Sequence, residues 1–293
     1  IAASTVLGGL AVPQIASAGG FYLQEQSVRG AGRAFSGEVA DTGAASLWWN
    51  PAAIGGIDEI EGHFALSIIV PSADIENDNT LIVRPQQAPA PVGGDQLSKD
   101  PIETGILPAG AIAVPIGDRL SVGVAVSSPY SFTTDYDDTS WVRYTALKSK
   151  LRTYDIQPSV AYMVTPELSV GAALNIEYSD ATLTNALPNL SAQLPDGLQE
   201  LEGDGWDLGW SAGVQYRSGP LMLGAAYKSS VKHKLSGELT QSGLLGPLAG
   251  QNGVIETGAT FRTPWHAMVG ARYALTPQLT LLSLIHISEP TRQ

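Results

Sequence analysis

Residues 168–178 read LSVGAALNIEY and residues 206–216 read WDLGWSAGVQY. In the first stretch Leu168, Val170, Ala172, Leu174, Ile176 and Tyr178 alternate with Ser169, Gly171, Ala173, Asn175 and Glu177. In the second, Trp206, Leu208, Trp210, Ala212, Val214 and Tyr216 alternate with Asp207, Gly209, Ser211, Gly213 and Gln215. Successive strand side chains point to opposite faces, so a period of two predicts a β-strand with one apolar face. LSVGVAVS at 120–127 repeats the pattern. The second face carries few charges, whereas a sheet facing bulk water is usually rich in Lys and Glu. Tyr178, Trp206, Tyr216 and Tyr273 fall near strand ends, where amphipathic rings suit the headgroup layer of a membrane.

Working outward, the same alternation predicts strands near 60–70, 105–115, 151–164, 221–235 and 257–275. With the three above that makes eight, and a ninth begins near Leu279. Pro115–Asp118, Thr165–Glu167, Ser218–Pro220 and Thr276–Gln278 are tight turns, since Pro presets φ and Gly accepts positive φ. Long polar connections are expected near 71–104, 129–150, 180–205 and 236–256. Short turns at one end and long loops at the other are the habit of a transmembrane antiparallel β-barrel. The 32 glycines and 19 prolines suit strands and turns better than a helical bundle. No apolar run approaches the ~18 residues of a helical span. The net charge of −12 argues against a nucleic-acid partner, because phosphates would go unneutralised. With no cysteine, disulfides and thiolate catalysis are excluded.

Both ends are expected to lie outside the fold. Residues 1–18, IAASTVLGGLAVPQIASA, form an apolar run closing on Ala16-Ser17-Ala18. That is the pattern of a signal peptide and its cleavage site, so export across the inner membrane of a Gram-negative cell is expected. Residues 282–293 contain LSLIHISEPTR, which matches the translation of a common sequencing-library adapter. They are expected to be foreign to the protein, to make no native pairing, and to replace a natural chain continuing past Leu281. A barrel cut there is expected not to close stably, because an open edge in lipid leaves backbone groups unsatisfied.

Residues 19–56, GGFYLQEQSVRGAGRAFSGEVADTGAASLWWNPAAIGG, do not alternate. Phe21, Phe35, Leu47, Trp48 and Trp49 argue against disorder, so the segment is expected to pack inside the barrel. Gly20-Phe21, Gly30-x-Gly32-Arg33-Ala34-Phe35-Ser36-Gly37 and Asn50-Pro51-Ala52 closely resemble the N-terminal hatch of the FadL/TodX family. Weaker similarity runs through PIGDRLSVGVAVSSPYSF, GDGWDLGWSAGVQYR and Thr263-Pro264-Trp265.

The resemblance implies an outer-membrane channel for long-chain fatty acids or other hydrophobic compounds. It implies a 14-stranded barrel in the whole protein, with residues 57–281 supplying eight or nine strands. Ligand would pass from an outer groove to an apolar pocket, then sideways through a gap at a kink in the third strand as the hatch rearranges. Asn50, Pro51 and Ala52 would lie against that kink. Pro129, which cannot donate to a strand ladder, is the candidate for the interruption. Phe21, Phe35, Lys228 and Lys232 are candidates to line the ligand's route. The family's fatty-acid transporters place a cation near the end of strand five, here near Asn185, yet no Lys or Arg occurs from Thr153 to Tyr216. Burying an unpaired carboxylate is costly, so an uncharged hydrocarbon or aromatic substrate stays open. Lys228, Lys232 and Lys234 are read as sharing one face of strand seven, where they either substitute as partners for a carboxylate or stand solvated at the strand's outer end.

Other chemistry finds little support. Gly30-Ala31-Gly32 follows no strand, so it is no dinucleotide loop. His63, His233 and His266 stand on separate strands, and Asp135, Asp137 and Asp138 read as a solvated loop. No metal or cofactor is expected. An aqueous porin needs an open, charged lumen, which residues 19–56 would fill. An outer-membrane hydrolase needs an activated nucleophile beside a base, and no Gly-x-Ser-x-Gly elbow occurs. The expected partners are a hydrophobic small molecule and outer-membrane lipid, with the protein acting as a monomer.

The mature envelope protein should begin at Gly19. Intact-mass and peptide spectrometry of the native protein checks this. A peptide spanning Ala18–Gly19 in the assembled protein would contradict it, and an intact Leu282–Arg292 peptide would refute the adapter reading.

Overall fold

The computed structural model describes residues 22–84 and 87–288. One antiparallel sheet holds twelve strands. They are β1 Glu61–Ile69, β2 Gly105–Ile116, β3 Leu120–Ser127, β4 Ser131–Asp135, β5 Lys148–Met163 and β6 Leu168–Leu187. There follow β7 Gly197–Ser218, β8 Leu221–Lys228, β9 Val231–Ser242, β10 Gly253–Thr263, β11 His266–Thr276 and β12 Leu279–Ser288. The order along the sheet is β1-β2-β3-β5-β6-β7-β8-β11-β12, with β4 on β5 and β9 pairing both β7 and β10. Three pairs are halves of single long strands: β3 with β4, β8 with β9, and β10 with β11. Lys228↔His266 and Val231↔Thr263 keep one register across the last two breaks. Counted so, nine strands follow one another in chain order, at the positions the alternation predicts.

Three expectations change. The segment 180–205 is mostly strand, because β6 and β7 pair without a break from Leu168↔Tyr216 to Leu187↔Gly197. Their outer parts, rich in Thr, Glu and Gln, carry little of the apolar alternation that marks the rest. The 71–104 connection holds two small hairpins, Asp74–Glu76 with Leu97–Lys99 and Leu81–Ile82 with Ala90–Pro91. Finally, Leu282–Ser288 pairs with His266–Arg272, against the expectation of no partner. Leu282, Leu284 and His286 alternate with Ser283, Ile285 and Ile287, and an extended, mostly apolar segment can add to the free edge of β11 whatever its origin. Residues 1–18, Phe21 and the end of the 282–293 stretch lie outside the described residues.

The two faces are inverted relative to a water-soluble sheet. Large apolar residues look outward: Phe64 is 76% exposed, Leu208 70% and Trp206 60%. The opposite face holds Gln157, Asn175 and Gln215, all fully buried. No helix among the described residues is long and apolar enough to cross a membrane. An exposed apolar band of this extent belongs against lipid.

Residues 22–57 pack on the polar face. They form a short helix, Val28–Ala31, and 3-10 turns at Glu38–Ala40, Ala44–Ser46 and Pro51–Ile54. Val39, Leu47, Trp48, Trp49, Ile54 and Ile57 make a core with Ala113, Ala125, Ala161, Ala226 and Met268. Those five sit on β2, β3, β5, β8 and β11, so the sheet curls around the segment. The sheet supplies alanines because small side chains leave room for it. Its polar side chains meet the segment's backbone: Gln157 Nε2 donates to Leu47 O at 3.0 Å, Gln215 Nε2 to Asp41 O at 2.6 Å and Ser169 Oγ to Ala52 O at 3.0 Å. Arg272 of β11 reaches Asp41 at 2.5 Å, and Arg29 and Arg33 each reach it at 3.0 Å. Burial pushes the neighbouring Glu38 carboxyl above its ordinary range, opposed by Arg33 and Arg29.

The segment also comes close to β6 and β7 at Asn50–Ala52. Asn50 caps the Pro51–Ile54 turn, its Oδ1 accepting from Ala52 N at 2.9 Å. Its Nδ2 donates to Val39 O at 2.7 Å and to Val214 O of β7 at 3.2 Å. A Cβ on Gly171 would lie 2.4 Å from Ala52 N, and one on Gly213 1.9 Å from Asn50 Oδ1. Glycine is needed at both, since any side chain would displace the turn. Gly171→Ala should therefore cost about 1–3 kcal/mol of segment packing. Hydrogen-exchange mass spectrometry of the complete protein should show faster exchange in peptides covering 44–57, with β6 and β7 unchanged. Unaltered exchange at 44–57 would contradict this packing.

Candidate functional site

The third strand is broken between β3 and β4 at Ser128-Pro129-Tyr130. Up to Ser127↔Asp155 the pairing with β5 is regular. Beyond the break Ser131, not Tyr130, stands opposite Arg152. One extra residue has entered the strand, as in a bulge. Pro129, the residue expected at the interruption, sits inside it and offers no N–H.

The other neighbour loses contact as well. β2 pairs β3 no further than Gly110↔Val126, while its pairing with β1 continues to Gly105↔Ile69. Gly105–Ala109 therefore border a gap. The N-terminal segment takes over the missing partners. Leu23 N donates to Pro129 O at 2.8 Å, and Tyr22 forms an antiparallel bridge with Tyr130. Gln26 Nε2 donates to Ser128 O at 3.1 Å, and its Oε1 accepts from Ser128 N at 3.3 Å. The Tyr22 ring stacks on His266 with centroids 4.2 Å apart, and Tyr130 Oη lies 2.9 Å from His266 Nε2.

Two cavities adjoin this region. One, of about 450 Å³, is bordered by Leu23 and Leu107 from the interior and by Ile106, Arg152 and Tyr154 from the outer face. Leu107 is 1% exposed and Ile106 64%. This space lies at the gap between β2 and β4, where the sheet's pairing is interrupted. The other, of about 570 Å³, is interior and largely aliphatic: Leu151, Leu183, Leu201, Leu235, Phe261 and Phe132 line it. Lys150 and Glu202 also border it. They fall at even positions of strands whose odd residues face inward. Lys150 is paired there with Asp180 at 2.5 Å. Near Asn185 the groups are neutral: Gln199 Nε2 donates to Asn185 Oδ1 at 3.1 Å, and Gln241 Nε2 to Gln199 Oε1 at 2.9 Å.

The structure brings few of the expected site residues together. Asn50, Pro51 and Ala52 rest on β6 and β7 rather than beside Pro129, because Gly171 and Gly213 leave space for them there. Leu23 and Gln26 occupy the break instead. Phe35 packs on the buried core beside Gly30 and borders neither cavity. Lys228 is buried, its Nζ 3.1 Å from Asp155 Oδ2 and 4.5 Å from the Trp48 ring centre. Asn175 Nδ2 donates to the same carboxylate at 2.8 Å. Truncating one partner of such a pair strands the other charge, so Lys228 holds the interior together rather than offering a free cation. Lys232 and Lys234 are exposed on the opposite face. The break at Ser229-Ser230 switches the inward set from even residues in β8 to odd ones in β9, which separates the three lysines that sequence parity had grouped. His233, inward in β9, lies 2.9 Å from Ser179 Oγ and 3.3 Å from Glu177. Asp135 pairs with Lys148 at 2.7 Å.

Leu23, Gln26 and Phe132 gave no periodic signal. Leu183 and Leu201 did alternate with polar neighbours, and that signal could have extended β6 and β7.

Known proteins agree with this architecture. A Pseudomonas aeruginosa FadL homologue of known structure superposes with a TM-score of 0.73 over 89% of this chain and 67% of its own, at 20% identity. The Ralstonia pickettii toluene transporter TbuX gives 0.56 over 86% of this chain and 75% of its own, also at 20% identity. In sequence, the chain is 28% identical to a long-chain fatty acid transport protein of Escherichia coli, covering 76% of this chain and 53% of that one. It is 27% identical to outer membrane protein P1 of Haemophilus influenzae, covering 74% and 54%. The chain thus spans about half the length of the curated relatives it matches. The model of the outer membrane protein transport family (OMPP1/FadL/TodX) matches residues 9–286. The chain belongs to that outer-membrane family.

Proposed function

We propose that the complete protein passively admits uncharged hydrophobic molecules through the outer membrane, and releases them sideways through the wall at Ser128–Tyr130. In this reading the sheet closes into a barrel, residues 22–57 plug it, and a single chain embedded in lipid suffices. The cavity at the gap in the wall between β2 and β4 carries the proposal. Leu23 borders it and Gln26 holds Ser128 at its edge, and both belong to the plug and not to the wall. Rearrangement of the plug therefore opens the exit. A lateral route spares an apolar cargo the polar interior around Asp155, Asn175 and Glu177.

The interior cavity favours a neutral cargo. Its inward side chains are mostly aliphatic or aromatic, with neutral Thr134 and Ser149 among them, and its one bordering lysine is committed to Asp180. A carboxylate entering it would lose water without gaining a cation. The filled interior disfavours an aqueous pore.

Ser131→Cys places a thiol at the wall cavity of a chain that has no cysteine. In cells carrying the complete gene, a bulky maleimide on that thiol should slow uptake of n-hexylbenzene about tenfold, as expected when exit limits turnover. At neutral pH, uptake of hexylbenzene should exceed that of labelled oleate. Full uptake after complete labelling would contradict lateral exit, and faster oleate uptake would contradict the neutral cargo.

A further inference from the structure

Phe132 is the residue shared by the two cavities: it lines the interior space and the space at the gap in the wall. Its position follows from the bulge. In β3 the inward residues are odd, with Ser121, Ala125 and Ser127 buried. The extra residue at Ser128–Tyr130 reverses this, so that in β4 Phe132 and Thr134 line the interior cavity. Phe132 pairs with Leu151, which lines the same cavity. Its neighbours Ser131 and Thr133 border the wall cavity. A half-buried aromatic ring thus stands between an interior reservoir and the gap in the sheet, one residue beyond the strand break.

We propose that Phe132 is the septum between the two spaces, and that its rotamer and bulk set which molecules pass and how fast. The inference rests on the lateral exit proposed above. A phenyl ring suits this place. It presents an apolar face to both cavities, and rotation about χ1 and χ2 clears a path without breaking a backbone hydrogen bond. The ladder to β5 holds the strand while the side chain moves. Lys228 and Asp155, deeper in the interior, border neither cavity and need not shift.

The test uses the complete protein, with surface level and heat-modifiable gel migration as checks on folding. Phe132→Trp should slow uptake of n-hexylbenzene about threefold or more, since a larger ring obstructs exit. Its equilibrium binding to the purified protein should stay unchanged. Phe132→Ala should raise uptake of a wider probe, 1-hexylpyrene, relative to hexylbenzene. Wild-type rates for both variants, while maleimide on Ser131→Cys still stops uptake, would overturn the septum and leave lateral exit standing. Rates that fall only in parallel with affinity would also overturn it, since Phe132 would then be simply part of the binding surface. If neither the variants nor the maleimide changed uptake, lateral exit and the septum would fall together.

Discussion

Lipid offers no hydrogen bonds, so a strand that breaks inside a membrane wall must find partners for the groups it frees. In this protein most of those partners come from the N-terminal segment. Leu23 pairs with the carbonyl of Pro129, Gln26 serves both backbone groups of Ser128, and Thr153 of β5 holds Tyr130. The constraint explains why the gap between β2 and β4 is tolerated, and why the first described residues lie where they do. It also couples two parts of the molecule. The bonds at the break belong to the N-terminal segment, so displacing that segment would leave Ser128 and Pro129 without them.

The inner face of the sheet is shaped by the same segment. Its residues are small where the segment approaches, as at Gly171 and Gly213, and polar where backbone groups need partners, as at Gln157, Ser169 and Gln215. Two kinds of contact fix the segment: an apolar core around Leu47, Trp48 and Ile54, and an ionic cluster in which Asp41 gathers Arg29, Arg33 and Arg272. The Asn50 turn lies on β6 and β7, away from the break, whereas Trp48 stacks on Tyr22 with ring centres 6.0 Å apart and so ties the core of the segment to its end at the break. The outer surface carries none of this detail. It is a band of Leu, Val, Ile and aromatic side chains whose function is to meet lipid.

Much of this was legible in the sequence. Alternation located all nine strands because each has a lipid face, and Pro129 marked its break through a missing donor. The outer halves of β6 and β7 escaped because their apolar residues are few, Leu183 and Leu201 standing among Thr, Asn, Glu and Gln. The lysines show a subtler limit. Lys228 and Lys232 share sequence parity, yet the break at Ser229-Ser230 turns one inward and the other out. Periodicity cannot see a bulge that leaves no proline behind. Resemblance placed Asn50-Pro51-Ala52 by the kink, whereas glycines in β6 and β7 give it room elsewhere. Leu23 and Gln26, which meet the break, carry no pattern at all, since their role depends on a contact across more than a hundred residues.

The central claim is that Tyr22–Gln26 seals the wall and must leave for cargo to pass. Tyr22 and Tyr130 face each other as an antiparallel pair flanked, not joined, by hydrogen bonds. That arrangement brings Cα atoms to about 4.5 Å, within the range a disulfide spans. The complete protein carrying Tyr22→Cys and Tyr130→Cys should lose hexylbenzene uptake when oxidised and regain it on reduction, while each single variant transports regardless of redox state. An oxidised, fully cross-linked protein that transports at the reduced rate would contradict the account.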